Sequence, residues 1–207
     1  MKEQEIERLE KMYEYENDVY KQGYNIICGI DEAGRGPLCG PVVAASVILP
    51  KGLYIEGLND SKKISEKKRE HLYNEIVEKS ISYSVGISDV KVIEEVNILN
   101  ATRLAMKQAV EGLKVVPEYA LVDAEKKVPI NIPYTPIIKG DSLSCSIAAA
   151  SIIAKVTRDK MLIEMDKEYP EYGFLKNKGY GTKSHIEAIK QYGICPIHRP
   201  SFCKKFI

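Results

Sequence analysis

A series of short apolar segments, each ending in an acidic residue, constrains the fold of this chain more than any other feature. The acids that follow such segments are Asp31, Glu32, Asp89, Asp123 and Asp141. In an open α/β sheet, the carboxyl ends of the strands form the edge at which functional sites lie. The pattern therefore predicts an α/β protein in which carboxylates from distant parts of the chain gather at one edge of strands one and four.

Apolar patterns of strand type recur along the chain. They cover residues 24–30, 41–49, 83–87, 119–122 and 135–138. The first three strands are expected to form an antiparallel meander, and each of the last two is approached from a helix. This order predicts a five-stranded mixed sheet in a single layer that is flanked by helices.

Helical periodicity and capping residues predict the helices around this sheet. Residues 1–22 are expected to form one amphipathic N-terminal helix that ends at Gly23. Further helices are predicted after Ser65, after Asn97 with Leu99, Leu104 and Leu113 facing the core, over residues 142–168, and after Thr182. Because no repeat or linker interrupts the pattern, residues 1–207 are assigned to one domain with a helical C-terminal part, residues 170–207.

Composition limits the class of protein. A hydrophobic fraction of 44% in 207 residues suits one sizeable core, and no segment has the pattern of a signal peptide or a membrane span. The five cysteines form no C-x-x-C pair, which favours buried thiols in a reducing cytoplasm over disulfides or zinc. We therefore expect a soluble cytoplasmic protein with no membrane association.

Charge is unevenly distributed, although the formal net charge is only +1. Residues 1–22 are acidic, whereas residues 171–207 are basic and contain tyrosines. The basic C-terminal part fits a localised phosphate-binding face, and chance asymmetry of a solvated surface is the alternative.

Convergent carboxylates favour a bound cation, since desolvation and mutual repulsion otherwise raise their pKa values. Without His or Cys in the set, the expected cations are hard divalent ions such as Mg²⁺ or Mn²⁺. The alternative role of an Asp after a strand is to cap the next helix. Asp89 fits that role and is left outside the site, and Asp141 could cap the long helix. The adjacent acids Asp31 and Glu32 are the hardest to explain without a metal.

Several sequence blocks, in this order along the chain, resemble those of ribonuclease HII, the type 2 ribonuclease H, in its bacterial form. They are Asp31-Glu32-Ala33-Gly34-Arg35-Gly36-Pro37, Asp60-Ser61-Lys62-Lys63, Val122-Asp123-Ala124, Lys139-Gly140-Asp141-Ser142 with the helical residues 148–159, Gly179-Tyr180-Gly181-Thr182, and His198-Arg199-Pro200-Ser201-Phe202. The resemblance spans residues 24–202, which is nearly the whole chain.

This resemblance implies a ribonuclease H-like fold and an endoribonuclease that cleaves the RNA strand of RNA/DNA hybrids. It further implies incision 5′ to ribonucleotides embedded in duplex DNA, by two-metal-ion hydrolysis that leaves 5′-phosphate and 3′-hydroxyl ends. The implied catalytic and metal-binding residues are Asp31, Glu32, Asp123 and Asp141, which would hold two divalent ions, Mg²⁺ or Mn²⁺. The expected partners are the RNA/DNA hybrid and ribonucleotide-containing duplex DNA, bound by a monomer.

Substrate binding is assigned to Gly34, Arg35, Gly36, Lys62 and Tyr180. Glycines let the backbone approach the 2′-hydroxyl that distinguishes RNA from DNA, and the resemblance implies that the tyrosine stacks on the sugar of the next deoxynucleotide. A tight turn before a proline and a loop tyrosine that covers the core are the alternatives. Further candidates for phosphate contacts are Lys63, Lys183 and Arg199.

Other functions remain compatible with the residues. His71, His185 and His198 leave open a metal-free acid/base ribonuclease, although their spacing makes it the weaker idea. Another nuclease of the same fold, such as a junction resolvase or a hybrid-only ribonuclease, is the second alternative, and a non-catalytic hybrid-binding module is the third. The chain has no Gly-Lys dipeptide, so a P-loop is absent, and residues 34–36 lack the third glycine of a Rossmann site.

Overall fold

The computed structural model describes residues 1–207 and contains the five-stranded mixed sheet that the sequence predicts. The strands are β1 (Ile27–Ala33), β2 (Val42–Ile48), β3 (Ser82–Ser88), β4 (Tyr119–Asp123) and β5 (Tyr134–Ile137), in the spatial order β3-β2-β1-β4-β5. The first three strands pair antiparallel, as expected for a meander, whereas β4 and β5 run parallel to β1. Strand β1 continues three residues beyond its predicted end, so that Asp31 and Glu32 lie inside it.

Helices cover both faces of the sheet. They are α1 (Glu3–Met12), α2 (Glu14–Lys21), α3 (Glu66–Lys79), α4 (Val90–Glu111), α5 (Cys145–Glu168), α6 (Phe174–Asn177), α7 (Lys183–Tyr192) and α8 (Pro200–Cys203), with 3-10 turns at Gly140–Ser142 and Pro170–Tyr172. Because side chains alternate along β2, Ala45 and Val47 pack against α5, whereas Ala44 and Ile48 pack on the side of α4. A separate apolar cluster joins the end of α5 to the C-terminal part.

Helix α5 lies directly on β1 at Gly29. Any Cβ at this position would overlap the backbone of Ser146 and Ile147, so only glycine permits this contact. The start of α5 is also fixed by the buried carboxylate of Glu16 in α2, which accepts hydrogen bonds from the Ser144 hydroxyl at 2.6 Å and the Ser146 N–H at 2.9 Å. An acidic side chain of the N-terminal segment thus accepts hydrogen bonds at the start of α5.

Several boundaries differ from the sequence predictions. The N-terminal segment forms two helices rather than one, because the backbone bends at Tyr13 (φ −90°, ψ 0°). The long helix begins at Cys145 and not at residue 142, and its capping side chain is Ser144, so the alternative role of Asp141 as a helix cap is wrong. A side chain closer to the helix makes that hydrogen bond.

Helix α4 contains both predicted caps. The carboxylate of Asp89 accepts the Val92 N–H at 2.9 Å, as expected, and Asn97, at φ +68°, bends the helix and accepts the Asn100 N–H at 3.1 Å. The prediction that Leu99 and Leu104 face the core is wrong, whereas that for Leu113 is confirmed. Small residues of α4 are buried instead, namely Ala101, Thr102, Ala105 and Ala109.

All five cysteines are buried and free, as predicted. Among the helices, none combines the length and the apolar character needed to cross a membrane.

Candidate active site

Three carboxylates from separate elements meet at the edge of the sheet. Asp31 lies in β1, Asp123 ends β4, and Asp141 lies in the 3-10 turn after β5. Because Ile30 pairs with Val122 in the parallel β1–β4 ladder, the next residues, Asp31 and Asp123, reach the same level. One oxygen from each of the three side chains lies within 4.8 Å of the other two, and the predicted convergence is therefore present.

The turn that carries Asp141 is held by Asp123. The Gly140 N–H donates to Oδ1 of Asp123 at 2.7 Å. Lys139 precedes it in the left-handed region at φ +60°, which reverses the chain within one residue. A Cβ at residue 140 would lie 2.6 Å from Cδ1 of Ile147 and 3.3 Å from Oδ1 of Asp123, so glycine at this position leaves room for both side chains.

Glu32 lies beside this group rather than within it. Its carboxylate is 3.4 Å from the guanidinium of Arg35, and it is not among the three that meet. Burial raises the pKa of Glu32, the charge of Arg35 opposes this, and the charge of Asp123 raises it further. Glu32 is therefore close enough to feel the cluster electrostatically.

The carboxylates of the cluster are largely buried, and the groups around them do not neutralise their charges. Desolvation, followed by repulsion from Glu32 and Asp123, raises the pKa of Asp31 well above its ordinary value. Burial likewise raises the pKa of Asp123, against the effect of the Gly140 N–H, and that of Asp141, where repulsion from Asp60 and Asp123 adds to it. Carboxylates in this state favour either a proton or a bound cation.

Asp60 is a fourth aspartate at the site, and it was not among the predicted site residues. It is 9% exposed, and its charge raises the pKa of Asp141. Its Oδ1 accepts the backbone N–H of Lys62 at 2.9 Å, which shapes the loop that brings Nζ of Lys62 to 3.9 Å from Asp141. Asp60 does not end a strand, so the pattern that found the other acids could not find it, although it belongs to a block that carries the family resemblance.

Two buried serines link that loop to the cluster. The hydroxyls of Ser61 and Ser151 are 2.8 Å apart, and Ser151 lies near enough to Asp31 to lower its pKa by hydrogen bonding. Nζ of Lys63, a candidate phosphate contact, donates to the Ser142 hydroxyl at 2.8 Å. Helix α5 and the loop 60–63 thus meet at the carboxylates.

The turn formed by residues 34–37, called the glycine turn below, lies next to Tyr180. Gly34 has φ +97°, and a Cβ there would overlap the side chain of Arg158, so this position requires glycine. Gly36 is exposed, and the nearest atom to a Cβ at this position would be Cε1 of Tyr180, at 3.9 Å. Tyr180 is itself 45% exposed, so its ring does not cover the core as the alternative interpretation supposes.

Arg199 is not a surface cation, and its prediction as a phosphate contact is wrong. It is fully buried, and its guanidinium donates to carbonyl oxygens of the glycine turn, including Gly34 at 2.7 Å and Pro37 at 2.9 Å. Lys183, by contrast, is exposed at the start of α7. The sequence could not reveal this difference, since the carbonyls that Arg199 contacts are more than 150 residues away.

Comparison with known proteins agrees with this architecture. The family model described as Ribonuclease HII matches residues 28–205. The chain belongs to the ribonuclease HII family. Curated relatives include Ribonuclease HII of Acetivibrio thermocellus, 61% identical over 99% of this chain and 80% of the relative, and that of Ruminiclostridium cellulolyticum, 58% identical over the same shares. Ribonuclease H2 of Pyrococcus horikoshii has a similar structure, with a TM-score of 0.74, 28% identity, and coverage of 87% of this chain and 96% of that one.

As a member of this family, the chain is a metal-dependent endoribonuclease that acts on RNA/DNA hybrids, and its fold is the predicted ribonuclease H-like α/β fold. A metal-free mechanism that uses His185 and His198 loses its support. His185 and His198 are buried, with their Nε2 atoms 3.0 Å apart. Neither ring is placed to meet a substrate.

Proposed function

We propose that this member of the ribonuclease HII family cleaves the RNA strand of RNA/DNA hybrids and incises 5′ to a ribonucleotide embedded in duplex DNA. Hydrolysis uses two divalent ions, Mg²⁺ or Mn²⁺, and leaves 5′-phosphate and 3′-hydroxyl ends. The observation that carries the proposal is the meeting of three mostly buried carboxylates, Asp31, Asp123 and Asp141, at the edge of a ribonuclease H-like sheet.

The donor set fits divalent metal. It consists of carboxylate oxygens close enough to share a cation, and burial raises the pKa values of all three aspartates. Hard oxygen ligands without His or Cys suit Mg²⁺ and Mn²⁺. Asp31, Glu32, Asp123 and Asp141 would hold the ions, with Glu32 at the side of the group nearest Arg35. When bound, such ions activate a water and stabilise the leaving 3′ oxygen.

Gly34, Arg35 and Gly36 are proposed to detect the 2′-hydroxyl. The exposed backbone at Gly36 can approach a sugar closely because no side chain intervenes. Tyr180 is half-exposed beside this turn, where its ring can stack on the sugar that follows the ribonucleotide. The two features lie side by side, as recognition of adjacent nucleotides requires.

Lys62 is proposed to contact a phosphate next to the scissile bond. Its ammonium lies 3.9 Å from Asp141 and is well exposed on its other side. Burial lowers its pKa, but attraction to Asp31, Asp141, Asp60 and Asp123 outweighs this and raises it, so Lys62 stays charged. The basic C-terminal part, residues 170–207, carries Tyr180 and is proposed to bind substrate. We further propose that the chain forms a single domain and acts as a cytoplasmic monomer.

A duplex with one embedded ribonucleotide tests the proposal. Purified protein with Mg²⁺ or Mn²⁺ should incise the strand 5′ to the ribonucleotide, and EDTA should abolish incision. A uniform RNA/DNA hybrid and an all-DNA duplex serve as positive and negative substrates. Cleavage of the hybrid alone would favour a hybrid-only ribonuclease, cleavage of a four-way junction would favour a resolvase, and metal-independent binding without cleavage would leave a binding module.

A further inference from the structure

A chain of hydrogen bonds through two buried histidines ends on the backbone of Tyr180. The backbone N–H of Cys195 donates to Nδ1 of His198 at 3.0 Å. Nε2 of His198 lies 3.0 Å from Nε2 of His185, and Nδ1 of His185 lies 2.9 Å from the carbonyl oxygen of Tyr180. The family's acidic site does not involve any of these groups.

The direction of each bond in this relay follows from its two ends. Nδ1 of His198 must accept, because a backbone N–H points at it, so the ring proton is on Nε2. That proton is donated to Nε2 of His185, whose own proton is then on Nδ1 and is donated to the Tyr180 carbonyl. Both rings must be neutral for this sequence of bonds to exist.

The surroundings keep both rings neutral. His185 and His198 are 0% and 1% exposed, and Tyr172 and Phe174 pack against them edge-on or tilted. Burial lowers the pKa of His185, and burial together with the charge of His185 lowers the pKa of His198 to about 4. The sulfur of Cys195 also lies 3.1 Å from Nδ1 of His198.

The base of the relay is tied to the glycine turn. Arg199, the residue after His198, donates to the carbonyls of Gly34 at 2.7 Å and Arg35 at 3.0 Å. The backbone N–H of Arg199 donates to the Leu38 carbonyl at 2.8 Å. One short segment thus contacts the turn through Arg199 and the Tyr180 backbone through the histidines.

We propose that His185 and His198 are positioning residues that hold Tyr180 at a fixed place relative to the glycine turn. They act on the ribonucleotide selectivity of the enzyme without touching substrate. The proposal rests on the role proposed above for Tyr180, but the relay itself can be observed without any cleavage assay.

The test compares H185L with H185N. The two side chains are nearly equal in size, but Nδ2 of asparagine can replace the lost donor to the Tyr180 carbonyl and leucine cannot. On the single-ribonucleotide duplex, we expect H185L to lose kcat/KM roughly tenfold, the loss of one orienting hydrogen bond, and H185N to stay within about threefold of wild type. In a Y180A background, H185L should change kcat/KM less than about twofold, since the residue through which it acts is gone.

Controls separate positioning from stability. I76A removes a buried side chain of α3, in a cluster that contains none of the residues packed on the relay, and it should lower the unfolding temperature while leaving kcat/KM nearly unchanged. If H185L and H185N lose activity equally, or if H185L loses tenfold in the Y180A background as well, the positioning role is wrong.

Nitrogen-15 NMR of the histidine rings tests the relay independently of activity. The expected spectrum has the proton of His198 on Nε2 and that of His185 on Nδ1 at pH 7, and the opposite tautomers would overturn the proposal. If these tautomers are found in a protein that does not incise the ribonucleotide duplex, the proposed function fails while the relay stands.

Discussion

The protein contains two groups of buried charged side chains, which differ in how many hydrogen bonds the rest of the chain provides for them. Arg158 and Arg199 are fully buried cations, and every hydrogen bond that their guanidinium groups donate ends on a backbone carbonyl, such as those of Cys39, Pro41 and Gly40 at 2.7 to 3.0 Å. The aspartates at the sheet edge have few donors and repel one another. A buried charge whose hydrogen bonds are filled by its own chain is structural, whereas one left underfilled requires a ligand. The following variants test that distinction.

The largest effect is expected for D31N. Amide in place of carboxylate removes a proposed metal ligand, so kcat should fall by more than about 100-fold, since loss of a group that only orients a ligand costs about 10- to 100-fold. The same variant should raise the unfolding temperature of the metal-free protein, because it removes an uncompensated buried charge. Single-turnover cleavage and thermal unfolding measure the two changes. D89N, at an aspartate that only caps a helix, should alter neither, and full activity of D31N would contradict the site.

Removal of the buried cation Arg199 should lower the stability of the protein, which is the opposite of the stability change expected for D31N. R199M leaves several buried carbonyls without donors, and since each such acceptor costs about 1–3 kcal/mol, the free energy of unfolding should fall by about 3–5 kcal/mol. R199K should recover only a part of this, since one ammonium cannot replace a planar fork. Urea denaturation measures both. A variant of normal stability would show that the carbonyls of the glycine turn do not need Arg199.

Metal should stabilise the folded protein by neutralising the aspartates. At a free ion concentration 100 times Kd, the gain is about 2.7 kcal/mol for one site. In calorimetric scans, Mg²⁺ or Mn²⁺ should raise the unfolding temperature of wild type and have little effect on D31N. An equal shift in both proteins would place the ion elsewhere.

The pH dependence follows from the raised pKa of Asp31. Since the folded state holds this proton more tightly than the unfolded state, the metal-free protein should lose stability as pH rises through the folded pKa of Asp31. His198 acts in the opposite sense, with its pKa lowered to about 4, because acid then favours the unfolded chain. Subtracting the pH profile of D31N from that of wild type cancels the histidine contribution. A difference independent of pH would contradict the raised pKa.

The smallest effect is expected for K62A. Loss of one phosphate contact should weaken hybrid binding a few-fold and lower its salt dependence by about one ion. Mn²⁺ binding should tighten, because Lys62 repels a cation near Asp141. Fluorescence titrations of hybrid and metal measure the two. If both affinities fall, Lys62 supports the metal site itself. K91A, at an exposed lysine of α4, is the control.

The sequence predicts the parts of this site that depend on strand order. Asp31, Asp123 and Asp141 follow apolar strands, and parallel pairing brings such ends together. Strand order does not predict Asp60 and Ser151, because a loop and a helix, rather than strand ends, carry them to the cluster. Arg199 shows the same limit, because a buried and an exposed arginine look alike until the carbonyls around them are placed.

Errors in the predicted fold have local causes. Asp141 and Ser144 are both able to cap α5, and only the backbone of the intervening turn decides between them. Leu99 and Leu104 have the spacing of a core face, but alanines of α4 allow that helix to approach β3 at Gly86, and the leucines remain partly outside. Small residues decided the contact, which a count of large apolar side chains does not detect.

Helix α5 holds the aspartate cluster and the glycine turn at a fixed distance from each other. Ser151 reaches the aspartates, and Arg158, two turns later on the same face and about 10 Å further along the axis, packs its side chain against Gly34. A single residue inserted between them would rotate one end by about 100° against the other. Length variation in relatives of this enzyme should therefore be confined to loops, while the interval from Ser151 to Arg158 stays constant.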